Sequence, residues 1–154
     1  MELIFDTSVI IGAILESLGR EAGGVSRTAL ISLIQRPYHI LRISEEIGQE
    51  CKEDLVKRGL PPHYLLDFLR NLLEPSKKIK KCQFRSEDFK LKVSVPVPDH
   101  DRHVVEAAVA VKEGRKGITV CLVHKNPNDF DPIKEEMRKK HCILVLSPEE
   151  YVDP

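Results

Sequence analysis

The feature that most constrains this chain is the run Ile118-Thr119-Val120-Cys121-Leu122-Val123, which is rich in β-branched residues and carries no charge. A strand of that composition is covered on both faces, as in the interior of a parallel sheet. Further short apolar runs read as strands at residues 3–5, 39–43, 93–97 and 142–146. Between them lie segments with apolar residues at helical spacing, at 9–18, 25–34, 45–58, 61–73 and 100–113, with a polar helix expected over 131–140. Ser44 is placed to cap the third helix and Gly59 to close it, while Pro61-Pro62 opens the fourth. Strands alternating with helices predict right-handed βαβ crossovers and an α/β fold of three layers, α/β/α, around a mainly parallel sheet.

A length of 154 residues corresponds to a single domain, 1–154, with one core. No apolar stretch approaches the roughly 20 residues that span a bilayer, and Met1-Glu2-Leu3-Ile4-Phe5-Asp6 has no basic leader segment. A cytoplasmic protein without a membrane partner is expected. The four cysteines form no Cys-x-x-Cys pair, so they read as reduced thiols, mostly in the core. Basic and acidic residues balance at 24 each, so net charge does not decide whether nucleic acid is a partner. Residues 76–92 read as a basic linker in which Lys77, Lys78, Lys80 and Lys81 are candidates for phosphate contact. A solvated linker is the equally available reading.

In parallel α/β sheets, ligands collect beyond the carboxyl ends of the strands. Asp6 ends the first strand, Glu50 lies in the helix after the second, Asp101 opens the helix after the run at 93–97, and Asp129 follows Val123 in a loop. Like charges about 4 Å apart repel by about 4 kcal/mol at an effective dielectric near 20, so a convergence of four acids calls for a counter-ion. Hard oxygen donors suit magnesium or manganese. Taken singly, Asp99 and Asp101 also fit a helix cap and its first turn, Glu50 a solvated helix shoulder, Asp129 a turn and Ser8 a cap. Asp6 is the exception, because a charge adjoining a buried strand is seldom left without a partner.

Five segments in order resemble the PIN-domain family along nearly the whole chain. Leu3-Ile4-Phe5-Asp6-Thr7-Ser8-Val9-Ile10-Ile11 is similar to its first strand and aspartate, and Ile43-Ser44-Glu45-Glu46-Ile47-Gly48-Gln49-Glu50 to the segment that delivers its glutamate. Asp101-Arg102-His103-Val104-Val105-Glu106-Ala107-Ala108 resembles its aspartate at the start of an alanine-rich helix, Asp101 matching better than Asp99. Val123-His124-Lys125-Asn126-Pro127-Asn128-Asp129-Phe130 is similar to its Thr-x-Asn-Pro-x-Asp-Phe loop, and Leu146-Ser147-Pro148-Glu149-Glu150-Tyr151 to its closing strand and tail. The departure is His124, which stands where the family has threonine.

The resemblance implies a ribonuclease that hydrolyses phosphodiester bonds of single-stranded RNA with Mg2+ or Mn2+ held by Asp6, Glu50, Asp101 and Asp129. Ser8, Asp99, His124 and Asn126 would support the site, and Arg102, Lys125 and the lysines at 77–81 would contact RNA. Implied partners are RNA, a second copy in a homodimer, with the leucine-rich face of 65–73 as a candidate surface, and an antitoxin protein if the chain is a toxin rather than an RNA-processing factor. The alternative is a catalytically weak RNA-binding or protein-interaction module, which the change to His124 favours. An aspartyl phosphatase is excluded by spacing, since Ser8 occupies the position of the second aspartate, and no glycine-rich phosphate loop is present.

Overall fold

The structure is a computed structural model and describes residues 1–73, 75–82 and 97–153. Five parallel strands, β1 (Glu2–Phe5), β2 (Ile40–Ser44), β3 (Ile79–Cys82), β4 (Val120–Val123) and β5 (Ile143–Leu146), form one sheet in the order β3-β2-β1-β4-β5. Helices α1 (Thr7–Ser17), α2 (Val25–Gln35), α3 (Glu45–Lys57), α4 (His63–Leu72) and α5 (Asp99–Gly114) flank it, followed by the short α6 (Pro127–Phe130), α7 (Lys134–Glu136) and α8 (Pro148–Val152). This is the three-layer α/β/α arrangement that the alternation of strands and helices predicts. Among the described residues, no helix is long and apolar enough to cross a membrane.

The central strands β1 and β4 are buried at every position, in keeping with their uncharged cores. Residues pair in register from Glu2 with Val120 to Phe5 with Val123. The exception to the apolar rule is Glu2, 3% exposed, whose carboxylate is held by Arg42 and, at 2.9 Å, by Arg115. A buried charge is tolerated when opposite charges and hydrogen bonds replace its water. Strand order reverses beside β1, since β2 lies on one side and β4 on the other. That reversal opens a crevice at the carboxyl ends of β1 and β4.

Helix α1 is buried almost throughout because it packs between the sheet and helices α2 and α3. A Cβ at Gly12 would come within 2.6 Å of Ser26 Oγ, so the approach of α1 and α2 depends on glycine there. Ser44 caps α3 through Ile47 N–H, and Gly59, at φ +74°, ends it with Leu60 N–H returning to Leu55 C=O.

Three expectations change. Residues 79–82 of the expected basic linker form edge strand β3. Its adjacent Lys80 and Lys81 conceal the strand in the sequence, and exposed lysines are a common defence of a sheet edge. The single helix expected over 131–140 starts earlier and is broken into α6, a 3-10 turn, α7 and a π turn. Pro127 starts it, and Pro132 interrupts the ladder of helical hydrogen bonds. The leucine-rich face of 65–73 divides: Leu65, Leu69 and Leu73 are buried, whereas Leu66 and Leu72 are exposed. Residues 93–96 of the expected strand lie outside the described residues. Cys51 and Cys121 are buried, which pushes their thiols up to about 12, and Cys142 is exposed.

The last helix is fastened to the body by one arginine and one histidine. Carbonyls of a final helical turn lack partners within the helix, and Arg36 donates to those of Tyr151 and Val152 at 3.0 and 2.8 Å. Its guanidinium lies 5.1 Å from the centre of the Tyr151 ring, and the Tyr151 hydroxyl lies 2.8 Å from His39 Nδ1. Burial, then the nearby α-amino group, Arg36 and Lys78, lower the His39 pKa to about 4. The unfolded chain binds the proton first as pH falls, so the stabilisation present above pH 6.5 is lost between there and about pH 4. Urea unfolding should therefore show wild type losing on the order of 1 kcal/mol relative to His39→Gln over that interval, after discounting for a partly exposed ring.

Candidate metal centre

Each acid at the crevice is delivered by the end of a regular element. Asp6 leaves β1 and caps α1, its Oδ2 accepting from Ser8 N–H at 3.1 Å and from the Ser8 hydroxyl. Glu50 sits on α3 beside the buried stripe Ile47, Cys51 and Leu55, and the stripe turns it toward the Thr7 hydroxyl, which donates to Oε2 at 2.5 Å. Asp101 occupies the first turn of α5 on its buried face, whereas the Asp99 side chain is fully exposed. Asp129 lies in α6 and accepts a hydrogen bond from the Asn126 amide.

These residues meet. Asp6, Glu50, Asp101 and Asn126 line one cleft of about 340 Å³, with Thr7, Ser8 and Gly12 at its floor. Asp129 joins Asp101 through His100, whose Nε2 lies 3.4 Å from Asp101 Oδ2 and 3.6 Å from Asp129 Oδ2. One donor atom from each of these three lies within 4.8 Å of the others.

The electrostatics follow from that crowding. Burial raises the pKa of Asp6 and Ser8 works against it, with Glu50 adding to the rise. Asp101 is raised to about 6, by burial first and then by Asp129 and Asp6. Burial also opposes charge on Glu50, but His103, whose Nε2 is 2.9 Å from Oε2, and Thr7 outweigh it and hold the carboxyl low. The same pair raises His103 despite its burial.

A divalent cation fits this donor set on two counts. The donors are mainly carboxylate oxygens, and Asp101 Oδ2 is buried with no hydrogen-bond partner among the described residues. A buried acceptor left open beside two other acids is what a cation would satisfy.

Comparison with known proteins gives no relative: no family model, no curated protein and no solved structure matches this chain.

The remaining candidates divide. Lys125 lines the cleft and reaches Glu21 at 3.3 Å. Arg102 is outside the lining and lies 3.7 Å from Asp99. Lys78 is buried and donates to the Arg36 carbonyl, so it cannot meet RNA. Lys77, Lys80 and Lys81 are exposed around edge strand β3, separated from β1 by β2. His124 is buried with both ring nitrogens unpartnered among the described residues. It stacks on Phe130 at 4.6 Å, burial keeps its pKa low, and it does not reach the carboxylates.

Sequence reasoning missed His100, His103 and Thr7, together with Lys57 and Arg58 at the rim. The signal was present for the histidines, since the i, i+3 spacing of His100 and His103 puts them on neighbouring turns with Asp101 between. A carboxyl raised above its unfolded value costs stability as pH rises through the raised value. In a chelator above pH 7, Asp101→Asn should unfold later in urea than wild type by on the order of 1 kcal/mol, after discounting for partial solvation, with the gain shrinking below pH 6.

Proposed function

We propose that this protein is a metal-dependent endoribonuclease, PIN-like in type, that hydrolyses phosphodiester bonds of single-stranded RNA. The observation that carries the reading is that Asp6, Glu50 and Asp101 line one cleft beside β1 while Asp129 clusters with Asp101 and His100 next to it, Asp101 Oδ2 being buried with no hydrogen-bond partner among the described residues. All four would hold Mg2+ or Mn2+. A cation bound there supplies Lewis-acid stabilisation of a phosphoryl oxygen and a more acidic water.

The chain's own residues do the positioning. Ser8 fixes the rotamer of Asp6 through two donors, Thr7 and His103 fix Glu50 from either side, and Asn126 fixes Asp129. Orienting partners of this kind matter nearly as much as the ligands. Lys125 lines the same cleft together with Lys57 and Arg58, and is a basic group placed for a phosphate. His124 lies in the core and does not line the cleft.

The same reading makes the protein a cytoplasmic one, either the toxin of a toxin and antitoxin pair or an RNA-processing factor. Tyr64, Leu66 and Leu72, exposed on α4, would then be covered by a second copy or by an antitoxin protein.

Incubated with single-stranded RNA and manganese, wild type should cleave. Asp6→Asn should lose cleavage by more than about 100-fold, and Ser8→Ala should lose about 10- to 100-fold while the fold persists. RNA left intact with every divalent cation, yet still bound in a chelator, would point instead to a binding module. Lys125→Ala should weaken RNA binding and make the dependence of log affinity on log salt shallower by about 0.7.

A further inference from the structure

We propose that His100 is itself a ligand of the metal centre, so that the site prefers manganese, or a later divalent metal, to magnesium. The proposal rests on the metal-centre reading of the cleft and adds a nitrogen donor to it.

The two histidines of α5 approach the acids in different ways. His103 Nε2 lies 2.9 Å from Glu50 Oε2, a close ion-pair contact with a single acid. His100 Nε2 stands 3.4 Å from Asp101 Oδ2 and 3.6 Å from Asp129 Oδ2, nearly equidistant and within ion-pair distance of both. Donor atoms that share an ion at about 2.0–2.2 Å lie about 3.0 Å apart when adjacent in an octahedron and about 3.4 Å apart in a tetrahedron. The His100 spacings fall close to that range. Asp101 Oδ2 supplies the independent observation, because it belongs to a residue only 8% exposed and has no hydrogen-bond partner among the described residues. The ring of His100 is 70% exposed, so it closes the cluster from the solvent side.

Donor chemistry then sets the preference. Magnesium favours an all-oxygen octahedron and gains little from imidazole, whereas nitrogen donors strengthen binding from manganese along the first-row series. The four acids alone would leave magnesium competitive. Adding His100 tips the set toward the transition ions.

Calorimetry with Mn2+ and Mg2+ on the full chain, together with pulsed electron paramagnetic resonance of the Mn2+-loaded protein, tests this without reference to activity. Wild type should bind Mn2+ more tightly than Mg2+ and show nitrogen hyperfine coupling. His100→Asn should lose that coupling and about tenfold or more in Mn2+ affinity, with Mg2+ affinity changing less than about threefold and the thermal melt unchanged. His103→Asn should keep the coupling. Manganese bound with no nitrogen coupling, or coupling that survives His100→Asn, overturns the proposal and leaves the carboxylate centre standing. Absence of binding by either ion overturns both together.

Discussion

The placement of one carboxylate at the end of a fully buried strand governs the rest of this structure. Strand β1 exposes none of its residues and is paired on both sides, so Asp6 follows directly on an apolar interior and has only one direction in which to find polar partners. That direction is the crevice made where the strand order reverses. The first turn of α1 supplies the partners locally: the side chain caps the helix, and the Ser8 hydroxyl shares the same oxygen. Fixing Asp6 fixes α1, and Thr7 on α1 in turn reaches across to Glu50. The cleft is thus assembled outward from β1.

The two ends of the sheet treat buried acid differently. At the amino end, Glu2 is nearly inaccessible and is answered by two arginines, which more than offset its single charge. At the carboxyl end, among the described residues, the hydrogen-bond and ion-pair partners of the four acids are hydroxyls, a backbone N–H, one amide and two imidazoles. The cations of the cleft turn to other acids, Lys125 to Glu21 and Arg58 to Asp54, or, like Lys57, only line it. The raised pKa of Asp101 records the deficit. A chain able to pair Glu2 so completely has no general shortage of arginine or lysine, with 24 of them in its sequence. The open negative end therefore reads as provision for a cation that comes from solution, and the proposed function follows from that difference.

Much of this was legible before any coordinates. The uncharged run at 118–123 requires a two-sided strand, Ser44 and Gly59 mark the limits of α3, and the position of each acid after a strand directs all four to one edge. What could not be read has physical causes. Strand β3 has a single neighbour, so its side chains need not be apolar, and lysines there mimic a linker. The broken helix after β4 depends on where two prolines fall against the hydrogen-bond ladder. Lys78 differs from its neighbours only because its ammonium finds the carbonyl of Arg36, 42 residues earlier, a contact that no local pattern encodes.

The histidines of α5 show how a helix can assign separate duties to residues one turn apart. His103 faces α3 and makes a close pair with Glu50, which settles the orientation of an acid that a solvent-exposed shoulder would leave free. His100 faces α6 and stands between Asp101 and Asp129, within ion-pair distance of both. Its near-equal distances to the two acids make it a donor facing the same point as its neighbours. On that geometry the helix contributes an orienting partner and a donor from residues 100–103, and the aspartate between them is the acid whose oxygen is left unbonded.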